Sequence, residues 1–175
     1  VYPVAEGIEV LTHSPKVKAA RKSTLELILS NHDRKCLTCS RNQKCELQKL
    51  ADELGVTEIA FEGVRNEYEI DASGTSIVRD NNKCVLCRRC INVCKNVQTV
   101  SVIDAQERGF ATKIGCAFEA NLADTACVNC GQCIEACPVG ARYEKSEIDK
   151  VWQALADEDK FVVVQPAPAV RASLG

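Results

Sequence analysis

Apolar positions along this chain switch between helical and strand-like spacing, and those switches delimit its elements. An extended, hairpin-like lead-in, "VYPVAEGIEVLTHSP", carries Gly7 at its turn. Ser14 and Pro15 then supply a capping residue followed by a proline at the first helical position. Val17, Ala20, Thr24, Leu27 and Ile28 share one face at helical spacing, and Asn31 is the expected stop. A second helix is expected over 43–54, with Leu47, Leu50, Ala51 and Leu54 on one face and Gly55 just past its end. "VTEIAFEG" reads as a short strand, and "NVQTVSVIDAQERGFATKIG" as a β-hairpin turning near Gly109. A last helix is expected from Ser146 to Asp157, where Ser146 and Asp149 approximate a capping box. "KFVVV" after it has the composition of a buried strand, running into a Pro-Ala segment.

Composition says what such a chain lacks. Its 175 residues include one Trp, no Met and 5% aromatics, too few large side chains for an ordinary core. They also include 12 cysteines, and inorganic clusters can take over the role of a core. A net charge of −2 gives no reason to expect nucleic acid or a membrane surface as partner. No apolar run approaches the length of a membrane span and no signal segment is visible, so a cytoplasmic location is expected. Most cysteines sit two or three residues apart. That is too dense for loop-closing disulfides and suited to wrapping one metal centre.

Two runs carry most of them. "CVLCRRCINVC" contains Cys84, Cys87, Cys90 and Cys94, and "CVNCGQCIEAC", followed by Pro138, contains Cys127, Cys130, Cys133 and Cys137. Both are C-x2-C-x2-C-x3-C, an internal duplication with the spacing of two-cluster bacterial ferredoxins. In that pattern three close thiolates wrap one [4Fe–4S] cube, while the fourth enters a helix and serves the other cube. The resemblance assigns Cys84, Cys87, Cys90 and Cys137 to one cluster, and Cys127, Cys130, Cys133 and Cys94 to the second. Structural zinc is the competing reading, but zinc ribbons use two separated C-x2-C pairs rather than four cysteines in one run.

The runs differ in charge. Lys83, Arg88, Arg89 and Lys95 surround the first, with no acid from Asn82 to Ser101. Asp124 and Glu135 are the only charges from Asn121 to Ala141. Cations favour the more negative, reduced state, so the first cube is expected to be easier to reduce. A solvated face screened by water and salt is the bland alternative.

Four cysteines remain: Cys36, Cys39 and Cys45 in "NHDRKCLTCSRNQKCELQ", and Cys116 alone in "KIGCAFEAN". Cys116 reads as a small buried hydrophobe, or else as the completion of an all-cysteine site with the other three. His32 is the better fourth ligand, because a short loop can fold it back across the C-x2-C pair and neutral imidazole ligates iron. His13 has no cysteine nearby and reads as a surface residue. Cys45 is expected in the first turn of the second helix, where free N–H groups favour an anionic cluster. Exchanging one thiolate for neutral histidine makes a cube less negative by one charge, which should raise its potential.

The order H-x3-C-x2-C-x5-C followed by two ferredoxin runs resembles the N-terminal half of [FeFe]-hydrogenases. It also resembles the large iron–sulfur subunit of complex I and the NAD-linked formate dehydrogenases. The resemblance implies an α+β fold with a histidine-ligated [4Fe–4S] domain at 1–76 and a 2×[4Fe–4S] ferredoxin-like domain at 77–150. It makes 151–175 a linker and the first strand of a truncated hydrogen-activating domain. "VYPVAEGIEV" looks like the segment after a plant-type [2Fe–2S] domain, and "VVVQPAPAVRASLG" like the opening of the hydrogenase catalytic domain. The implied cofactors are three [4Fe–4S] clusters held by His32, Cys36, Cys39 and Cys45 and by the two cysteine sets above. The parent protein is expected to add a [2Fe–2S] cluster and the H-cluster. The implied function is an electron relay within a hetero-oligomer, linking an NAD(P)H-oxidising flavoprotein subunit or a ferredoxin to a hydrogen-activating site. The corresponding relay of a formate dehydrogenase or complex I-type subunit, a free-standing ferredoxin-like carrier and a zinc-stabilised interaction module are the alternatives. No nucleophile–base constellation or glycine-rich phosphate loop is present, so electron transfer is the only chemistry expected of this segment.

Overall fold

The structure is a computed structural model and describes residues 3–174. It has two compact units, Val1–Glu144 and Lys145–Gly175. The segments expected as separate domains at 1–76 and 77–150 thus lie together in the first unit as far as Glu144.

Helix α1 spans Pro15–Asn31, and Ser14 caps it by accepting a hydrogen bond from the Val17 N–H at 3.3 Å. Its inward face is rotated from the one the spacing suggested. Leu27 is exposed, while Leu25, Ile28 and Leu29 pack inward, continuing at the next turn to buried His32. Helix α2 is shorter than expected, Glu46–Glu53, because Gln43 adopts a left-handed conformation (φ 65°) and Cys45 is the extended cap residue. Cys45 therefore precedes the first turn rather than belonging to it. Leu47, Leu50, Ala51 and Leu54 do form the apolar face of α2, and they meet Leu25, Ile28 and Leu29.

The strand expected in "VTEIAFEG" does not form. A strand needs a partner ladder, and side chains satisfy the backbone just downstream instead. Asn31 Oδ1 accepts from the Asn66 N–H at 2.7 Å, and Asn82 brackets Tyr68 by accepting from its N–H (2.9 Å) and donating to its carbonyl (2.8 Å).

Four short strands frame the cysteine runs. Strand β1 (Ile77–Arg79) pairs antiparallel with β4 (Arg142–Glu144), placing Arg79 opposite Arg142. Strands β2 (Asp104–Gln106) and β3 (Lys113–Gly115) form the expected hairpin, turning through Gly109–Ala111 with Gly109 at φ 59°. Between these pairs lie helices α3 (Arg89–Asn92), extended by a π-helical turn over Val93–Val97, and α4 (Gln132–Glu135). One core cluster contains Ile77, Ile91, Ile103, Ile114, Leu122 and Ile134 with Cys90 and Cys116. The second joins α1 and α2 to Cys137, Val139 and Ala141. Cysteines thus occupy the interior that scarce aromatics leave to be filled.

In the second unit, α5 spans Ile148–Ala156, two residues later at its start than expected. Ser146 Oγ accepts from the Ile148 N–H at 3.4 Å, so the reciprocal capping box with Asp149 is not made. Residues 161–164 form no strand, and Phe161 is 94% exposed. The Pro-Ala segment continues into α6, Pro168–Leu174. Of the lead-in, the turn at Gly7 (φ 80°) is present without flanking strands, and Val1 and Tyr2 lie outside the described residues.

Candidate metal centres

All twelve cysteines are free thiols. Among the described residues, no three His, Cys, Asp or Glu side chains converge closely enough to grip a single metal ion. Two groups of them line larger cavities instead.

The first set surrounds a cavity of about 270 Å³ lined by His32, Cys36, Cys39 and Cys45. His32 stands at the end of α1, its N–H donating to the Leu29 carbonyl at 3.3 Å and its carbonyl receiving Arg65 Nη2 at 3.1 Å. A single 3₁₀ turn, Cys36–Thr38, brings Cys39 back over Cys36 through a 3.1 Å hydrogen bond between their backbones. The cap position of α2 supplies Cys45. His32 Nδ1 is, among the described residues, the one buried side-chain nitrogen or oxygen without a hydrogen-bond partner. Burial lowers the pKa of His32, helped by the charges of Lys83 and Arg65 and opposed by Asp33 and Asp80, which favours neutral imidazole. A buried nitrogen left unsatisfied is costly unless something else coordinates it. The donor set therefore fits a group that accepts one imidazole and three thiolates.

Gly140, from just beyond the second cysteine run, closes the cavity wall. A Cβ there would collide with Cys39 Sγ and come within 3.5 Å of Lys83 Cδ. The same neighbourhood is tied across by backbone contacts. The Glu46 N–H donates to the Pro138 carbonyl at 3.0 Å, and Arg41 Nη2 donates to the Ile134 carbonyl at 2.6 Å. His13 lies exposed, bonded to Thr12 Oγ1. Cys116, fully buried against Arg79 Nη1 at 3.5 Å, does not line this cavity.

The two runs repeat each other in backbone as well as in sequence. Leu86 and Arg88 in the first, and Asn129 and Gly131 in the second, hold left-handed conformations at equivalent positions. Left-handed residues alternating with ordinary ones reverse the chain within each C-x2-C-x2-C loop, the backbone habit of anion-binding loops. The Leu86 N–H points at Cys84 Sγ, 3.4 Å away. Only Gly131 has the residue type that takes such a conformation without strain.

The structure brings the fourth cysteine of the first run to the second run. Cys94, on the π-helical turn, shares a small apolar cavity with Cys127, Cys130 and Cys133. Cys137 lies just beyond α4 rather than within it, and its Sγ donates to the Val139 carbonyl at 3.0 Å. Cys84 packs against the core cluster that contains Cys137 and also against the one that contains Cys90. Burial pushes the Cys84 and Cys133 thiols up to about 11, so both strongly resist ionisation without a cation beside them. Iron would supply that cation, and a thiolate is the form that binds it.

Counting charges along the sequence overlooked partners from elsewhere. Lys83 pairs with Asp80 at 2.9 Å, and Arg89 makes a two-pronged contact with Glu46 at 2.6 and 2.8 Å. The basic excess around the first run is therefore partly cancelled. Arg142 was missed altogether, standing one residue beyond the sparsely charged stretch from Asn121 to Ala141. It is 2% exposed and lines the cavity shared by Cys94, Cys127, Cys130 and Cys133. A lone arginine in a short strand carries no sequence signal that it turns inward.

Residues 21–60 match the NADH-ubiquinone oxidoreductase-G iron–sulfur binding region, and residues 83–141 match the 4Fe-4S dicluster domain. The chain is 48% identical over 174 residues to the NADP-reducing hydrogenase subunit HndD of Solidesulfovibrio fructosivorans, covering 99% of this chain and 30% of the relative. It is 38% identical over 175 residues to iron hydrogenase 1 of Clostridium pasteurianum, covering 98% and 30% respectively. Against the mitochondrial NADH-ubiquinone oxidoreductase 78 kDa subunit of Candida albicans the identity is 30% over 145 residues, covering 82% and 20%. The chain thus spans less than a third of the length of these relatives. Among solved structures, an NAD+-reducing [NiFe]-hydrogenase chain in the H2-reduced state superposes with a TM-score of 0.76 at 27% identity. That match covers 83% of this chain and 62% of the other.

Proposed function

This chain is a homologue of iron hydrogenases, of an NADP-reducing hydrogenase subunit and of NADH-ubiquinone oxidoreductase iron–sulfur proteins, with 4Fe–4S cluster-binding domains, and we propose that it is a three-cluster electron relay. His32, Cys36, Cys39 and Cys45 hold one [4Fe–4S] cluster; Cys84, Cys87, Cys90 and Cys137 hold the second; Cys127, Cys130, Cys133 and Cys94 hold the third. When bound, each cluster supplies a one-electron couple.

The reading rests above all on the buried, unpartnered Nδ1 of His32 in a cavity shared with three cysteines. A structural histidine in a core would have found a hydrogen-bond partner. The remaining residues act by position. The Leu86 N–H points at Cys84 Sγ, and Ile77, Ile103 and Leu122 line the cavity of the third set, limiting water there. The Glu46–Pro138 and Arg41–Ile134 hydrogen bonds hold the His32 set against the second run. Neutral His32 removes one negative charge relative to a fourth thiolate, so the group it binds accepts an electron more readily.

In the whole protein the relay runs between an NAD(P)H-oxidising flavoprotein subunit or ferredoxin and a hydrogen-activating site, within a hetero-oligomer. That part of the proposal draws on the hydrogenase relatives. Among the described residues no helix is long and apolar enough to cross a membrane.

Iron and sulfide analysis of the anaerobically prepared chain, with EPR during a stepwise redox titration, tests the reading. About twelve irons and three separable signals are expected. About eight irons, unchanged in His32→Ala, would remove the His32 site from the proposal. Zinc in place of iron would overturn the relay altogether.

A further inference from the structure

Arg142 and Arg79 face each other across the β1–β4 ladder, yet their charges are managed differently. Arg79 Nη2 pairs with Asp71 Oδ2 at 2.9 Å. Arg142 is 2% exposed, and among the described residues no carboxylate pairs with it. Its guanidinium donates only to neutral oxygens: the Ala141 carbonyl (2.9 Å), the Ile114 carbonyl (3.3 Å) and Asn81 Oδ1 (3.4 Å). Those contacts satisfy its N–H groups but leave its charge uncompensated. A buried cation opposite a like charge is destabilising unless an anion stands nearby.

The candidates for that anion are the cysteines. Arg142 lines the cavity of Cys94, Cys127, Cys130 and Cys133, and its guanidinium bonds the carbonyl of Ile114, which shares a core cluster with Cys90 and, packed against it, Cys84. Arg142 does not line the cavity of His32, Cys36, Cys39 and Cys45.

We infer that Arg142 is the shared internal counter-charge of the two ferredoxin-type sites, raising the potentials of both and that of the Cys94, Cys127, Cys130 and Cys133 site most. This rests on the reading that these sets hold [4Fe–4S] clusters. Each adds one negative charge on reduction, and a buried guanidinium favours that state because low polarity and exclusion of water leave its field unscreened. A lysine at 142 keeps the positive charge without the fork, and a glutamine removes the charge, so the two substitutions separate charge from hydrogen bonding.

The test is a potentiometric EPR titration of the anaerobically loaded chain as wild type, Arg142→Gln and Arg142→Lys, with iron counted in each. The wild-type count comes first: if iron is missing there, the relay reading fails independently of Arg142. With wild type loaded, Arg142→Gln is expected to lower both ferredoxin-type potentials, more at the Cys94-containing site, and to leave the His32 site unmoved. Arg142→Lys, which keeps the charge but not the planar fork, is expected to restore them. If Arg142→Gln does not load but Arg142→Lys loads with near-wild-type potentials, a charge requirement is again supported. Unchanged potentials in a fully loaded Arg142→Gln would overturn the inference. So would failure of both variants to load, or equal shifts in both, because guanidinium shape rather than charge would then be what matters.

Discussion

The backbone N–H of Glu46 donates to the carbonyl of Pro138 at 3.0 Å, joining the residue after Cys45 to the residue after Cys137. The two lie far apart in the sequence, and one hydrogen bond connects the wall of the His32 cavity to the second cysteine run. Glu46 is the first residue of α2, and Cys45 before it is extended (φ −92°, ψ 124°), so proline fits at 46 without disturbing the helix. Glu46→Pro should delete this bond and press the proline ring against the Pro138 oxygen, lowering stability by more than the worth of one hydrogen bond, about 1 kcal/mol, and slowing electron exchange between the His32 and Cys137 sites. Glu46→Ala keeps the N–H and loses only the exposed contact with Arg89, so it should stay within about 0.5 kcal/mol of wild type. Thermal unfolding and freeze-quench EPR of the pair check this; equal behaviour would show that the bond is immaterial.

His32→Cys should leave the iron content unchanged and lower the potential of one cluster, because a charged thiolate replaces a neutral ligand. EPR-monitored titration of the loaded variant measures it. A potential identical to wild type would mean that His32 is not bound to iron.

Gly140→Ala places a methyl group against Cys39 Sγ. The cavity must open or Cys39 must turn away, so about four of about twelve irons should be lost while the two ferredoxin-type signals survive. Iron analysis with EPR distinguishes this selective loss from general unfolding.

Asp71 offers a pH-dependent handle away from the cysteines. Burial raises its pKa, but hydrogen bonds from Ser73 Oγ, Leu122 N–H and Ser73 N–H, with the charge of Arg79, outweigh that and hold it below the ordinary carboxylate value. The unfolded chain therefore takes up this proton first as pH falls. The stabilisation is complete above the ordinary carboxylate range and disappears as pH drops through the lower folded value. Asp71→Asn, which strands half-buried Arg79, should cost about 2 kcal/mol near neutrality. The gap in unfolding temperature between this variant and wild type should narrow in acid; a constant gap would refute the linkage.

Local order was legible where the signal is local. The Ser14-Pro15 start, the hairpin about Gly109 and the duplicated cysteine runs all appear, because capping, turn chemistry and loop spacing act over a few residues. Strands at 56–63 and 161–164 were misread because β-branched composition supplies no partner, and a strand without a ladder leaves its backbone unpaired. The inward face of α1 was misjudged at Leu27. Following Leu25, Ile28 and Leu29 to His32 at spacings of three, four and seven would have placed the histidine on the buried side.

The sequence by itself grouped eleven of the twelve cysteines into two repeated runs and a triplet downstream of His32, because close spacing is a local property of the chain. Tertiary structure alone decided what surrounds them. Folding brought Gly140 against Cys39, joined Glu46 to Pro138, paired Arg89 with Glu46, and turned Arg142 inward with no acid of its own among the described residues. Burial and charge compensation depend on residues far apart in the chain, so spacing along it does not encode them.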